Sequence, residues 1–418
     1  MSIIGYIGIG IVSLILLELF VSHRRKFKTY TLSDSLVNLS CGMLERLFYV
    51  FMSVLYLIAF QFIFDNISIW HIPVNPLTWV IALFVADMIA YWFHRLSHEV
   101  NILWAAHIVH HQSEELNITT VFRVSFFAVI FRFFFFMWMP VIGFDPMQAV
   151  ACTIIIGLFQ FVTHSRLVGK LGIFEWFFTT PSHHRVHHAR NDKYIDRNYS
   201  HVFIIWDRIF GTFTEEQEEP DYGITSGFES VSPYRAQFSY WGNLFKRASR
   251  TTSLKNKVKL FFEKPTWTPE DSPFLPDEYS VDQKGERKLF RHIIKPELSA
   301  YIMLSVMSTF AAFLTVVLVK ANMENYGLVD LIMNKEIVVL VGVVLYSIFA
   351  HTRMMENAHK GFGFELIRIL ILAVSIIYLY KDIAQANMLM AGVAGFSIAL
   401  VLWLFRLNAK KEEMSFQE

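Results

Sequence analysis

The chain has 418 residues, of which 54% are apolar and only 17% charged, against roughly 25% charged in ordinary soluble domains. With 41 phenylalanines and a mean hydropathy of +0.40, the composition excludes a disordered chain, a disulfide scaffold and an ordinary soluble enzyme; it predicts a polytopic membrane protein. The net charge of +1 gives no signal for nucleic acid, and the two distant cysteines, Cys41 and Cys152, imply neither a disulfide framework nor a zinc–thiolate site.

A helix needs about 20 apolar residues to cross a bilayer. The first such run, 2–22, has no basic region before it and no small-residue cleavage site after it, so it reads as a retained helix. Further runs lie near 46–64, 78–94, 121–142 and 147–163. After a polar stretch from His164 to about Glu297 come runs near 299–319, 336–350, 363–381 and 385–406. The expected fold is all-α: a membrane bundle of about nine transmembrane helices with a cytoplasmic histidine-rich helical cap. The expected organisation is N-terminal membrane helices at 1–77, a histidine-bearing core at 78–215, a cytoplasmic segment at 216–298 and C-terminal membrane helices at 299–418.

Orientation follows from Lys and Arg in short loops. The basic loop His23–Lys28 should be cytoplasmic, and the loop 65–78, which lacks Lys and Arg, should lie outside. Threading onward puts 95–120, 164–298 and the C-terminal Lys410-Lys411 in the cytoplasm, so every histidine-rich segment falls on one face.

Three clusters stand out among the 16 histidines: HxxxH at His94 and His98, HxxHH at His107, His110 and His111, and a second HxxHH at His184, His187 and His188. At this histidine frequency HxxxH is weak evidence, but HxxHH is expected by chance only about 0.02 times in the chain. On a helix, positions i, i+3 and i+4 share a face. Eight neutral imidazoles gathered in this way predict metal binding, and they exceed what one ion needs. Two ions are the natural count. Nitrogen ligands suit iron, zinc, copper or nickel without choosing among them, and the absence of HExxH argues against a zinc protease of that type. A site at the end of a membrane helix is open to lipid. An unactivated carbon chain offers no handle for acid–base chemistry, which favours a redox metal and oxygen.

The boxes in this order, together with Asn198-Tyr199 and Trp206–Thr212, resemble the fatty acid hydroxylase/sterol desaturase superfamily over about residues 80–215. The resemblance implies two iron ions, O2, a reductant and a lipid substrate drawn from the bilayer. It also implies His164, at the end of the fifth run, as a ninth ligand. Tyr91–Arg95, Ser97–Ile102, Trp104-Ala105, Ser113-Glu114, Asn117, Thr120, Arg123 and the later segment 254–267 are similar to the pterin-dependent, ether-lipid-cleaving branch of that superfamily. That similarity implies tetrahydrobiopterin as reductant and hydroxylation of the ether carbon of an alkylglycerol, whose hemiacetal gives an aldehyde and glycerol. It marks Glu99 as a catalytic candidate and Asn117 and Arg123 as substrate-binding candidates.

Asp87 lies inside an apolar run, where carboxylates are costly and functional by default. It shares a helix face with Tyr91, His94 and His98, so it is a second catalytic candidate beside the metals, and it is a candidate partner for the deep-lying Arg132. His183 breaks the box spacing and is expected to be structural. The segment bearing Leu244, Phe245 and Leu254 among Lys246, Arg247, Arg250, Lys255, Lys257 and Lys259 has the composition of a surface on anionic headgroups or of a solvated face. The alternatives are a sterol, fatty-acid or carotenoid hydroxylase or desaturase served by a separate ferredoxin or cytochrome donor, and, outside enzymes, a metal transporter or a lipid or metal sensor.

Overall fold

The computed structural model describes residues 3–271, 290, 292–323, 327–382 and 386–415, with side chains described from Tyr6 to Leu407. Residues 272–289 and 291 of the expected cytoplasmic segment, and the Lys410-Lys411 side chains used for orientation, lie outside the described residues. The described chain is helical; its only strand-like pairings are two isolated bridges, Phe178 with Phe203 and Ala189 with Tyr222. It forms two compact units, the first comprising Met1–Glu45, Leu55–Ser230 and Arg235–Phe290, the second Arg46–Val54, Val231–Tyr234 and Arg291–Glu418.

The helices lying wholly or mainly in the first unit are α1 (Ile3–Arg24), α2 (Leu32–Asn66), α3 (Pro76–Glu99), α4 (Asn101–His111), α5 (Phe126–Phe136), α6 (Trp138–Ile142), α7 (Pro146–Thr163), α8 (Pro181–His188), α9 (Ile205–Ile209), α10 (Pro233–Arg250) and α11 (Leu254–Phe262). Helix α2 is longer than the apolar run 46–64 that marks it. Its 35 residues extend about 52 Å, well beyond the roughly 30 Å of hydrocarbon in a bilayer. The N-terminal part is polar, but its polar groups are paired: Arg123 reaches Asp34 and Asn38, each at 3.0 Å.

Eight helices among the described residues are long and apolar enough to cross a membrane. The run 121–142 is the exception to the nine expected. It folds as a 3-10 turn (Ile118–Phe122), then α5, then α6, with the break at Met137. Pro140 explains the break, because proline cannot donate to the carbonyl four residues back, at Phe136, and its ring clashes there. The pair α5–α6 nonetheless carries the chain from the end where α3 finishes to the end where α7 begins. At that far end, Ile69 N donates to Val141 O at 2.8 Å and Ile72 N to Gly143 O at 2.9 Å. Gly143 has φ +117°, and a Cβ there would lie 1.9 Å from the Trp70 carbonyl oxygen, so only glycine fits this turn.

Helix α3 starts sharply. The Asn75 side chain accepts from Thr78 N at 3.0 Å and Pro76 occupies the first turn. Ala82, Ala86 and Ala90 recur every fourth residue on α3 and are buried in one cluster with Ala149, Cys152 and Ile156 of α7. Small residues at that spacing let two membrane helices approach closely. The close approach brings the C-terminal ends of α3 and α7 together, which is where the histidines lie.

The second unit contains α12 (Pro296–Ala321), α13 (Leu328–Met333), α14 (Lys335–Glu356), α15 (Ala358–Tyr380) and α16 (Ala386–Ser415). One residue, Asn357, separates α14 from α15, and its side chain caps α15 by accepting from His359 N and Lys360 N, each at 3.1 Å. Gly361 permits the tight return: a Cβ there would lie 2.6 Å from the Met354 backbone.

Candidate metal centre

Four elements supply the histidines. His94 and His98 occupy the last turns of α3. Helix α4 follows after the single extended residue Val100 and carries His107, His110 and His111. His164 caps the C-terminus of α7. The short helix α8 carries His184, His187 and His188; it opens with Pro181 in its first turn behind the capping residue Thr180.

These nine side chains form two groups. The first holds His94, His98, His107, His111 and His187, the second His110, His164, His184 and His188, and within each group the ligand nitrogens lie within 4.8 Å of one another. Each HxxHH box divides between them. In α4 the i, i+4 pair, His107 and His111, enters the first group and His110 the second. In α8 the i, i+4 pair, His184 and His188, enters the second group and His187 the first. A helix turns about 100° per residue, so i+3 lies about 60° to one side of i and i+4 about 40° to the other, and each box spans two adjacent centres.

The outer nitrogens show how the rings are held. Nδ1 of His94, His110, His164 and His187 faces the carbonyl oxygens of Tyr199 (2.7 Å), Arg123 (3.2 Å), Gln160 (2.8 Å) and Arg197 (3.0 Å) respectively. A carbonyl only accepts, so Nδ1 carries the proton in each of these rings and Nε2 presents its lone pair inward. Inside, His94 and His111 Nε2 each lie 3.1 Å from His107 Nε2, and His184 Nε2 lies 2.9 Å from His164 Nε2. Nε2 of His98 and of His187 is buried without any hydrogen-bond partner.

His110 Nε2 lies 3.2 Å from His164 Nε2, and with both Nδ1–H groups committed outward these two lone pairs repel unless a cation lies between them. Nitrogens bound at about 2.1 Å and a right angle are about 3.0 Å apart, so the residues present fit a metal ion in each group. Burial pushes the imidazoles of His107, His110, His111, His184, His187 and His188 well below their usual pKa; where neighbouring histidines contribute, they act in the same direction. His164 is pushed down to about 4 by burial. All seven are therefore neutral near pH 7, the form that binds metal.

The other candidates lie elsewhere. Asp87 does not join the histidines. Its carboxylate accepts from Val202 N, Phe203 N and Trp206 Nε1, each at 3.0 Å, which anchors the segment after Tyr199 to α3. It does not pair with Arg132 either; that guanidinium lies 3.7 Å from the Glu45 carboxylate. Asn117 and Arg123 hold the fold together instead of lining the cavity described below. Asn117 caps the 3-10 turn and donates to Thr29 O at 2.7 Å. Arg123 ties Asp34 and Asn38 of α2 to the Val109 carbonyl of α4 (3.1 Å), while its own carbonyl takes His110. His183 stands outside both groups, its Nδ1 accepting from Thr180 N at 3.3 Å.

Glu99 is bonded to Arg95 at 3.0 Å and lines a cavity of about 940 Å³ that reaches His98, His111 and His187 of the first group and His188 of the second. Trp104, also on its wall, lies 5.0 Å from the His98 ring.

Three site residues have no motif of their own in the sequence. His201 lies 4.9 Å from the His94 ring and belongs to neither group. Asp196 Oδ1 is 3.3 Å from His98 Nδ1. Asp207 accepts from Tyr199 N and Ser200 N, each at 2.8 Å, and so fixes the carbonyl that holds His94. The segment Trp206–Thr212, part of the superfamily resemblance, is the signal for Asp207; Asp196 and His201 lie outside the resembling segments.

Helices long enough to span a bilayer, ending in two imidazole groups beside a cavity, define an integral membrane protein with a candidate metal centre, and comparison with known proteins makes it an oxidoreductase. Residues 79–212 match the fatty acid hydroxylase family. The chain is 32% identical over 403 residues to alkylglycerol monooxygenase of Xenopus tropicalis, covering 96% of this chain and 87% of that protein. It is 39% identical over 261 residues to alkylglycerol monooxygenase of Homo sapiens, covering 62% of this chain and 58% of that protein. A shorter match, 31% over 154 residues, is to the ornithine lipid hydroxylase of Rhizobium tropici, covering 35% of this chain and 45% of that protein. The chain belongs to the fatty acid hydroxylase family of membrane monooxygenases, with the alkylglycerol monooxygenases among its relatives. No solved structure matches it.

Proposed function

We propose that the chain hydroxylates the ether carbon of alkylglycerols, with two irons, O2 and tetrahydrobiopterin, and that the histidine centre lies at the cytoplasmic face. The observation that carries the reading is the division of nine imidazoles into two groups at one end of the membrane helices, in a chain alignable with alkylglycerol monooxygenase over 96% of its length. The orientation is supported by contacts of the basic loop His23–Lys28 with the stretch after His164: Arg25 Nη1 donates to Leu167 O at 3.3 Å, and the Arg166 guanidinium lies over the Phe27 ring.

Iron at both groups would supply oxygen activation. The protein's part is to hold and shield it. The Nδ1–H bonds to carbonyls fix the rings of His94, His110, His164 and His187, and both groups are largely buried. The cavity admits substrate toward the first group, past Glu99 and Trp104. Transfer of one oxygen atom to the ether carbon, with two electrons and two protons from the pterin and solvent reducing the other to water, gives a hemiacetal. Its collapse breaks the carbon–oxygen bond to glycerol, and needs a proton to leave the new hydroxyl and one to reach the glycerol oxygen. The Glu99 carboxylate, oriented by Arg95, is a base on the cavity wall suited to take the first proton, beside Asp196 and Glu229 on the same wall.

The test is fatty aldehyde release from an alkylglycerol by iron-loaded protein in detergent, with metal content measured on the same sample. Aldehyde that depends on both O2 and the pterin is expected. No aldehyde from protein holding two irons would overturn the ether-lipid reading. It would direct the assay to sterol and fatty-acid substrates with a ferredoxin or cytochrome donor.

A further inference from the structure

We propose that α10 and α11 form a seat for anionic phospholipid headgroups that fixes one wall of the cavity leading to the first histidine group. From Arg235 to Lys264 the chain carries eight Lys or Arg and a single acid, Glu263, in a protein whose overall net charge is only +1. The cations are interleaved with exposed apolar side chains in helical register. Phe238 and Phe245 recur at i+7 on α10. Leu254, Val258 and Phe262 recur at i+4 on α11, and Phe245, Leu254 and Phe262 are 57%, 76% and 64% exposed. An ordinary solvated face would show the cations without the apolar stripe; the two together are the signature of a helix lying in a headgroup layer.

The stripe is continuous with the membrane bundle. Phe127 of α5 lies 5.0 Å from the Trp241 ring and 5.7 Å from Phe238. Trp241 leads to Phe245 at 6.2 Å, and Phe245 to Phe261 of α11 at 5.7 Å. An aromatic path thus runs from the bilayer-crossing α5–α6 pair out along α10 to α11, which places both helices at the boundary between hydrocarbon and headgroups. Arg250, Lys255 and Lys257 then lie at the level of lipid phosphates, where each cation near an anionic surface gives roughly a fivefold gain in binding. Helix α10 also supplies Tyr240, Leu244, Lys246 and Arg247 to the cavity wall, so lipid charge that holds α10 holds the route to His98, His111 and His187.

The test uses the full chain in nanodiscs of phosphatidylcholine alone or with about 30% phosphatidylglycerol. Two readouts need no turnover: hydrogen exchange of the amides in 235–264, and phosphatidylglycerol retained on the protein in native mass spectrometry. Phosphatidylglycerol should protect α10 and α11, and salt should weaken that protection. The variant Arg250→Glu/Lys255→Glu/Lys257→Glu should lose its preference for phosphatidylglycerol by roughly tenfold or more while its metal content stays that of the parent. Equal protection in the two kinds of nanodisc, or unchanged lipid retention in the variant, would overturn the proposal. So would protection that arises only when an acidic soluble protein is added, which would make this a protein-docking face.

Discussion

His110 Nε2 lies 3.2 Å from His164 Nε2, and neither nitrogen has a proton to offer the other, because both rings commit Nδ1–H to a backbone carbonyl. The contact joins α4 to the end of α7, 54 residues further along the chain. It is a repulsion that a cation relieves, so the second group, assembled from separate elements, fits a metal ion. Four imidazoles there and five in the first group make the two proposed centres separable by mutation.

Replacing His164 or His110 by Ala should therefore lower bound iron from about two to about one per chain, and His107→Ala should remove the other ion. Metal analysis of detergent-purified protein checks this, with insertion verified by monodispersity. Two irons retained in His164→Ala would place that histidine outside the ligand set.

Acid should open the metal-free centre. His164 is held down to about 4 in the folded chain by burial, against about 6.5 when exposed. The unfolded chain thus binds a proton that the folded chain refuses. Above pH 6.5 this histidine costs nothing; between pH 6.5 and about 4 folding stability falls by up to about 1.4 kcal/mol per pH unit for this one group. Thermal unfolding of chelator-treated protein should show melting temperature falling through that window. His164→Ala should flatten the slope by about one proton's worth, and an unchanged slope would show that His164 is not buried in the neutral form.

Asp87 shows where a sequence reading stops. A carboxylate in an apolar helix is plainly visible, and its helix face is shared with His94 and His98. What the sequence does not show is that the segment 202–206 returns across α3 and leaves two backbone N–H groups and an indole N–H needing an acceptor. The histidine boxes were legible because local spacing decides which rings share a helix face. The division of each box between two centres was not, since it depends on how α4 and α8 face each other across α3 and α7. The spans were legible from length and composition, except where Pro140 divides one of them. The polar half of α2 was hidden because its helicity rests on pairing with Arg123, far along the chain.

Asp87→Ala should consequently destabilise the protein and disturb the first histidine group only indirectly. Two buried backbone N–H groups and a partly buried indole N–H lose their acceptor, a cost of at least about 2 kcal/mol. The expected result is a lowered melting temperature with iron still bound at low temperature. Loss of iron from protein whose melting temperature is unchanged would instead put Asp87 in the metal centre.

The second unit offers a separate test of how charge is tolerated in a membrane bundle. Glu365 and Arg368 are fully buried on α15; Arg368 Nε donates to Glu365 Oε1 at 2.8 Å, and the same oxygen accepts from Ser305 at 2.6 Å and Tyr301 at 3.0 Å. Ser305 also meets His351 Nε2 at 2.8 Å, so α12, α14 and α15 are joined through one carboxylate. Removing one partner of a buried ion pair leaves an uncompensated charge, at a cost of about 3–5 kcal/mol, whereas neutralising both can be nearly free. Glu365→Gln keeps an acceptor for Ser305 and Tyr301 but strands the Arg368 charge, and should lower the melting temperature strongly. The double variant Glu365→Gln/Arg368→Met removes both charges and should recover at least half of that loss. If the double variant is no more stable than Glu365→Gln alone, the pair is not the stabilising unit, and the hydrogen bonds between helices carry the bundle by themselves.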